Sequence, residues 1–122
     1  MSISIYYNVT QSTPLSENDE KTIESLLAKY SVDDDIEEYI KTGKGLNWES
    51  FTFYEADEPK VILSGSTTLP DNTDEANWIG IQHWCKLLSE IRRLIPNAIW
   101  EVQVEDHDIE WNPSDKSYDP SK

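Results

Sequence analysis

"LNWESFTFYEADEPKVILSGSTTL", residues 46–69, is the stretch whose reading decides the fold. Its first part, 46–56, is rich in aromatic residues and Thr. Its last part, 60–69, is rich in β-branched residues, and "DEP" between them suits a hairpin turn. Gly65 inside the second run suggests a bulge or a close backbone approach. Two strands are therefore expected here, joined as a hairpin in the middle of the chain.

Working outward, each flank carries one strand and at least one helix. Upstream, "ISIYYNV" (3–9) alternates with Ile3, Ile5, Tyr7 and Val9 on one face, the period-two pattern of a half-buried strand. "LSENDEKTIESLLAKY" (15–30) follows. Ser16 can cap this segment with Asp19 three residues on, and Ile23, Leu26, Leu27 and Tyr30 form an amphipathic helical stripe. "SVDDDIEEYIKTGKG" (31–45) predicts a second, short helix: Asp33 or Asp34 could cap it, acids fill its first turn, and Gly43 can end it.

Downstream, "EANWIGIQHWCKLLSEIRRLI" (75–95) is the strongest helix of the chain. Asn72 with Glu75, or Thr73 alone, can cap it, Arg92 and Arg93 suit its negative end, and Pro96 stops it. Trp78, Ile81, Cys85 and Leu88 form one stripe, which Trp84, Leu87, Ile91 and Ile95 widen. "AIWEVQVE" (98–105) then predicts a strand with Trp100, Val102 and Val104 facing inward. The order β-α-β-β-α-β predicts an α+β fold, a ferredoxin-like sandwich of one antiparallel sheet with two main helices on one face. Residues 1–111 are expected to form a single domain and 112–122 a polar C-terminal tail.

The chain's 122 residues include 24 Asp and Glu against ten Lys and Arg, a formal net charge of −14. Such an excess repels phosphate backbones and anionic lipid surfaces and attracts cationic partners, so direct nucleic-acid or membrane binding is not expected. An aromatic fraction of 11% is unlike a disordered acidic tail. Cys85 is the only cysteine, so no internal disulfide can form. "MSISIYYNVT" has neither a basic region nor a long apolar run, and a cytoplasmic protein is expected.

Chemistry-bearing motifs are few. "VEDHDIEW" (104–111) offers His107 between Asp106 and Asp108, but on an extended strand the two acids point to one face and the histidine to the other, so no metal site is expected. His83 and Cys85 stand two apart on a helix and diverge, and Cys85 suits a small core position. Asp33, Asp34 and Asp35 lack the spacing and the glycine of a calcium loop. No phosphate loop or nucleophile elbow is present, so neither a catalytic residue nor a cofactor is expected.

What remains is uneven charge. Residues 101–119 hold Glu101, Glu105, Asp106, Asp108, Glu110, Asp115 and Asp119 against Lys116 alone, and 33–38 holds Asp33, Asp34, Asp35, Glu37 and Glu38 with no base. Apolar parity also changes after Val104, since Ile109 and Trp111 are odd-numbered. A bulge or turn must intervene, or those two side chains face outward. If Trp111 is exposed amid Glu105, Asp106, Asp108 and Glu110, it has the composition of a contact for a basic partner; the other reading folds it back onto the protein.

A small, acidic, single-domain chain rich in Trp and Tyr resembles in overall character the immunity proteins of bacterial toxin systems, including contact-dependent and other polymorphic toxins. That resemblance implies a non-catalytic protein that neutralises a basic toxin, often a nuclease. The acids at 33–38 or 101–115 would stand in for the phosphates the toxin grips. Two other readings accompany it: an enzyme or ligand binder with a pocket on the open sheet face lined by Tyr6, Trp48, Phe51, Tyr54 or His107, and a homodimer formed through that bare face.

Overall fold

The computed structural model describes residues 3–13, 15–51, 53, 60–105 and 107–119. The chain order is β1 (Ser4–Thr10), α1 (Glu17–Lys29), α2 (Asp33–Thr42), β2 (Val61–Thr68), α3 (Ala76–Leu94), β3 (Ile99–Val104), β4 (His107–Asp108), β5 (Glu110–Asn112) and β6 (Ser117–Asp119). Four strands form one antiparallel sheet in the order β2-β1-β3-β4, and β5 with β6 forms a separate hairpin. The fold is thus α+β, with helices α1 and α3 packed over one face of the sheet.

The first strand forms as its alternation dictates. Ile5, Tyr7 and Val9 are buried, Tyr6 is exposed, and Tyr7 shares a buried 2.8 Å hydrogen bond with the Thr67 hydroxyl of β2. Across β1, the inner face continues through Leu63 and Thr67 of β2 and Val102 of β3. Ser16 caps α1 as its side chain accepts from the Asp19 N–H at 3.1 Å, and Ile23 is buried. Helix α3 buries Trp84, Cys85, Leu87, Leu88 and Ile91 against the sheet, and Gly80 lets it approach the 69–70 turn: a Cβ there would stand 2.6 Å from Pro70 Cδ.

The expected strand over 46–56 is not a strand in its described part, residues 46–51 and 53. Tyr54 and the "DEP" turn lie outside the described residues. Packing overrides β-propensity here. Phe51 stacks on Tyr7 at 4.4 Å, Phe53 meets the same ring edge-on, and Trp48 sets its edge against Trp84. Trp48 and Phe51 cannot both face that cluster from an alternating strand. The Thr68 N–H of β2 donates instead to the Glu49 carboxylate, so a side chain meets the strand's polar edge. The complete ferredoxin-like strand order is accordingly not formed.

Smaller departures have local causes. Asn72 does not cap α3, because Asn47 and Asn72 clasp two loops: the Asn72 side chain accepts from Asn47 N–H at 3.2 Å and donates to the Gly45 carbonyl at 2.8 Å. Glu75 occupies the cap position without a side-chain hydrogen bond. Gly65 pairs with Tyr7, and the register irregularity falls instead between Val9 and Thr10.

Residues 112–119 are no trailing tail. Tyr118 is 6% exposed, and its backbone N–H donates at 2.9 Å to the hydroxyl of Ser89, a buried residue of α3. Among the described residues, no helix is long and apolar enough to cross a membrane.

Candidate functional site

Helix α2 carries the first acidic concentration. Its start is held by the Ser31 hydroxyl, which accepts from Asp33 N–H at 3.2 Å, and its end by Gly43 in the left-handed conformation at φ 71. Glycine takes that conformation without the Cβ penalty other residues meet. Asp33, Asp34 and Asp35 occupy the first turn, where the helix dipole favours negative charge.

That accounts for three of the acids. Glu37 pairs with Lys41 at 2.8 Å, while Glu38 has no ion-pair partner among the described residues. All five carboxylates are exposed, and α2 buries none of its ten residues.

Ile36 and Tyr39 are half-buried, yet Ile40 one turn on is 76% exposed. The apolar stripe of α2 therefore outruns the core that it packs on. Its last member, with Glu37 three residues before it, stands in solvent. Sequence reading did not single out Ile40, although its i,i+4 spacing from Ile36 marks the stripe. What the spacing does not reveal is where the core stops.

The second concentration surrounds a tight reversal. Val104 pairs with His107 and Gln103 with Asp108, Glu105 has a positive φ of 54, and Ile109 N–H donates to Val102 O at 2.9 Å. This turn resolves the parity change by bringing Ile109 inward, where it is buried. Glu105 also has a local task, its carboxylate accepting from Ser4 N–H at 3.0 Å. Asp108 and Glu110 are exposed, and Asp106 lies outside the described residues.

Trp111 is folded back and half-buried. The Arg92 guanidinium lies 4.3 Å from the centre of its ring, and Tyr118 meets it edge-on at 5.1 Å.

The two acidic regions do not converge. Ser50 donates to Asp33 at 3.2 Å, tying the start of α2 to the 46–53 segment, which Glu49 joins to β2. β4 closes the opposite edge of the same sheet. The acids form two separate surfaces.

Nor do the residues expected around an open-face pocket share a face. Tyr6 lies on that face, Trp48 and Phe51 pack on the helical side, and His107 is opposite Val104 on the inner register. The open face pairs Tyr6 with Ser66 and Gln103, and Asn8 with Ser64 and Glu101, so it is largely polar.

Titratable groups elsewhere are set for structure. The Cys85 thiol is pushed up to about 12 by burial, which suppresses the thiolate. His83 Nε2 donates to the Tyr30 carbonyl at 2.7 Å. The Tyr30 hydroxyl is raised to about 12 by burial and by the Glu90 carboxylate. Glu90 is held below its ordinary value by that hydroxyl and, against the effect of burial, by Lys29 at 3.2 Å. At neutral pH this leaves an ionised acid against a neutral phenol. Among the described residues, no group of three His, Cys, Asp or Glu is placed to hold a metal ion.

Compared with known proteins, the chain matches no protein-family model, and neither a curated protein nor a solved structure is significantly similar to it.

Proposed function

We propose that this protein is a non-catalytic binding protein that covers a basic protein surface, as the immunity proteins of bacterial toxin systems do toward a cationic toxin, here a nuclease. The observation that carries this reading is Ile40, an isoleucine 76% exposed on a helix bearing Asp33, Asp34, Asp35, Glu37 and Glu38. An apolar side chain beside carboxylates joins desolvation with charge pairing, the combination that makes interface contacts strong. The net charge of −14 would speed the approach of a basic partner.

Glu105, Asp108, Glu110 and Trp111, with Asp106 from the same stretch of sequence, would serve a second contact. Trp111 would contribute there only what Arg92 and Tyr118 leave exposed of its half-buried ring. The finer ferredoxin-like reading of the frame rests on β1 lying antiparallel between β2 and β3, with Glu49 of the preceding segment meeting the Thr68 N–H of β2.

The test is capture of partners from the native host at low salt, followed by association kinetics with the purified captured protein. A basic protein is expected, with an on-rate that falls steeply as salt rises and is cut by the combined variant Glu37→Gln, Glu38→Gln and Ile40→Ala. Salt-insensitive association, or equal binding by that variant, overturns the proposal.

A further inference from the structure

The chain has two arginines, Arg92 and Arg93, and the fold brings both together with Lys116. They line a cleft of about 430 Å³ between the last turn of α3 and the β5–β6 hairpin, with Trp111, Pro96 and Pro113 as its apolar walls. Among the described residues, no carboxylate lines it. Acids outnumber bases 24 to ten in this protein, yet none of these three cations joins an ion pair among the described residues, whose pairs are Lys29–Glu90 and Lys41–Glu37.

Placement at the negative end of α3 accounts for two cations near a helix terminus. It does not account for how firmly they are oriented. Arg92 Nη1 donates to the Tyr118 hydroxyl at 3.0 Å while its plane covers Trp111. Arg93 Nε donates to the Lys116 carbonyl at 2.7 Å, which ties its guanidinium to the β5–β6 turn, and its two terminal nitrogens have no hydrogen-bond acceptor among the described residues.

Lys116 is held by a local turn: Asn112 accepts from the Ser114 and Asp115 N–H groups at 2.9 and 3.2 Å, and Lys116 itself takes φ 52. The neighbouring Asp115 carboxylate accepts from the Asn112 side chain at 3.2 Å.

We infer that this cleft binds a small planar organic anion, an aryl carboxylate or aryl phosphate. Arg93 and Lys116 would grip the anionic head, and Trp111 with the two prolines would flank the ring. Oriented guanidinium nitrogens match the oxygens of carboxylate and phosphate, and a cleft of this volume suits a small ligand. A polyanion would have to approach a body of net charge −14, whereas a small anion meets far less repulsion.

The test is a magnetic-resonance titration of the full chain with phenyl phosphate, benzoate and inorganic phosphate, following the Arg93 Nε–H and Trp111 indole N–H signals. Saturable shifts with at least one aryl anion are expected, with inorganic phosphate binding more weakly. The tighter of the two aryl ligands identifies the head group. Lys116→Gln, an exposed position, should weaken binding about tenfold, the scale of one charge-assisted contact. The double variant with Arg93→Gln should abolish it while the remaining amide spectrum is preserved. Absence of saturable shifts, equal affinity for inorganic phosphate, or undiminished binding by Lys116→Gln overturns the inference.

Discussion

Helices α2 and α3 divide the work of the molecule. Of its nineteen residues α3 buries eight, whereas α2 buries none of its ten. One is broad in its apolar face and wedged between sheet and hairpin. The other is held mainly at its two ends and presents carboxylates. If α2 is the recognition surface proposed above, the contrast teaches that stability and recognition can be mutated separately here, because few atoms would serve both.

The contrast would break if Trp84→Ala were tolerated. Trp84 is 1% exposed and touches Phe51, Trp48 and His83. Its truncation should cost about 4 kcal/mol, measured by urea denaturation. An alkaline titration should also cost several kcal/mol. Folded-state values raised to about 12 for Cys85 and Tyr118, against 9.0 and 10.0 ordinarily, mean that the folded form keeps protons the unfolded chain releases. Stability from these groups is therefore complete below pH 9 and is lost as pH rises toward 12, at up to about 1.4 kcal/mol per unit per group. Denaturation midpoints across that range test the sign.

Gly80→Ala should cost about 2 kcal/mol, since the added methyl meets the Pro70 ring with little room to give. Ser89→Ala should cost about 1 to 2 kcal/mol by leaving the buried Tyr118 N–H unpaired, and amide exchange should rise first in residues 110–119. The smallest stability effect belongs to α2: Glu38→Gln with Ile40→Ala should shift stability by under about 0.5 kcal/mol per site, while slowing and weakening partner association. A large loss of stability there would erase the division between the helices.

Much of the frame was legible in the sequence, for a physical reason in each case. Alternation in 3–9 and helical spacing in 75–95 report burial of one face, and burial is what the fold then enforces. Ser16 acts as a cap because its partner N–H is only three residues away. Asn72 looked equally suited but was claimed by Asn47, far off in sequence, which no local rule can weigh.

The 46–53 segment misled because aromatic residues suit both a strand and a core plug, and only the position of Tyr7 and Trp84 decides between them. "NPSDKSYDPSK" reads as a tail by composition, yet one buried tyrosine and one serine hydroxyl fasten its described part, residues 112–119. For the candidate surface, the acids of α2 were legible as charge. The exposure of Ile40 and the burial of Trp111 both depend on where distant elements end.

The central place of β1 carries a consequence for how the chain is made. Ile5 pairs with Val104 and Thr67, so β1 leaves the ribosome well before either of its neighbours and must wait for both. Pairings so distant in sequence make folding slow, because loop closure must precede the reward. Until residues 61–68 arrive, an alternating apolar strand stays exposed beside a nascent α1, a window in which association with other chains competes with folding. A chain with this much negative charge repels its own copies during that wait, so the charge proposed to draw a basic partner would also guard synthesis.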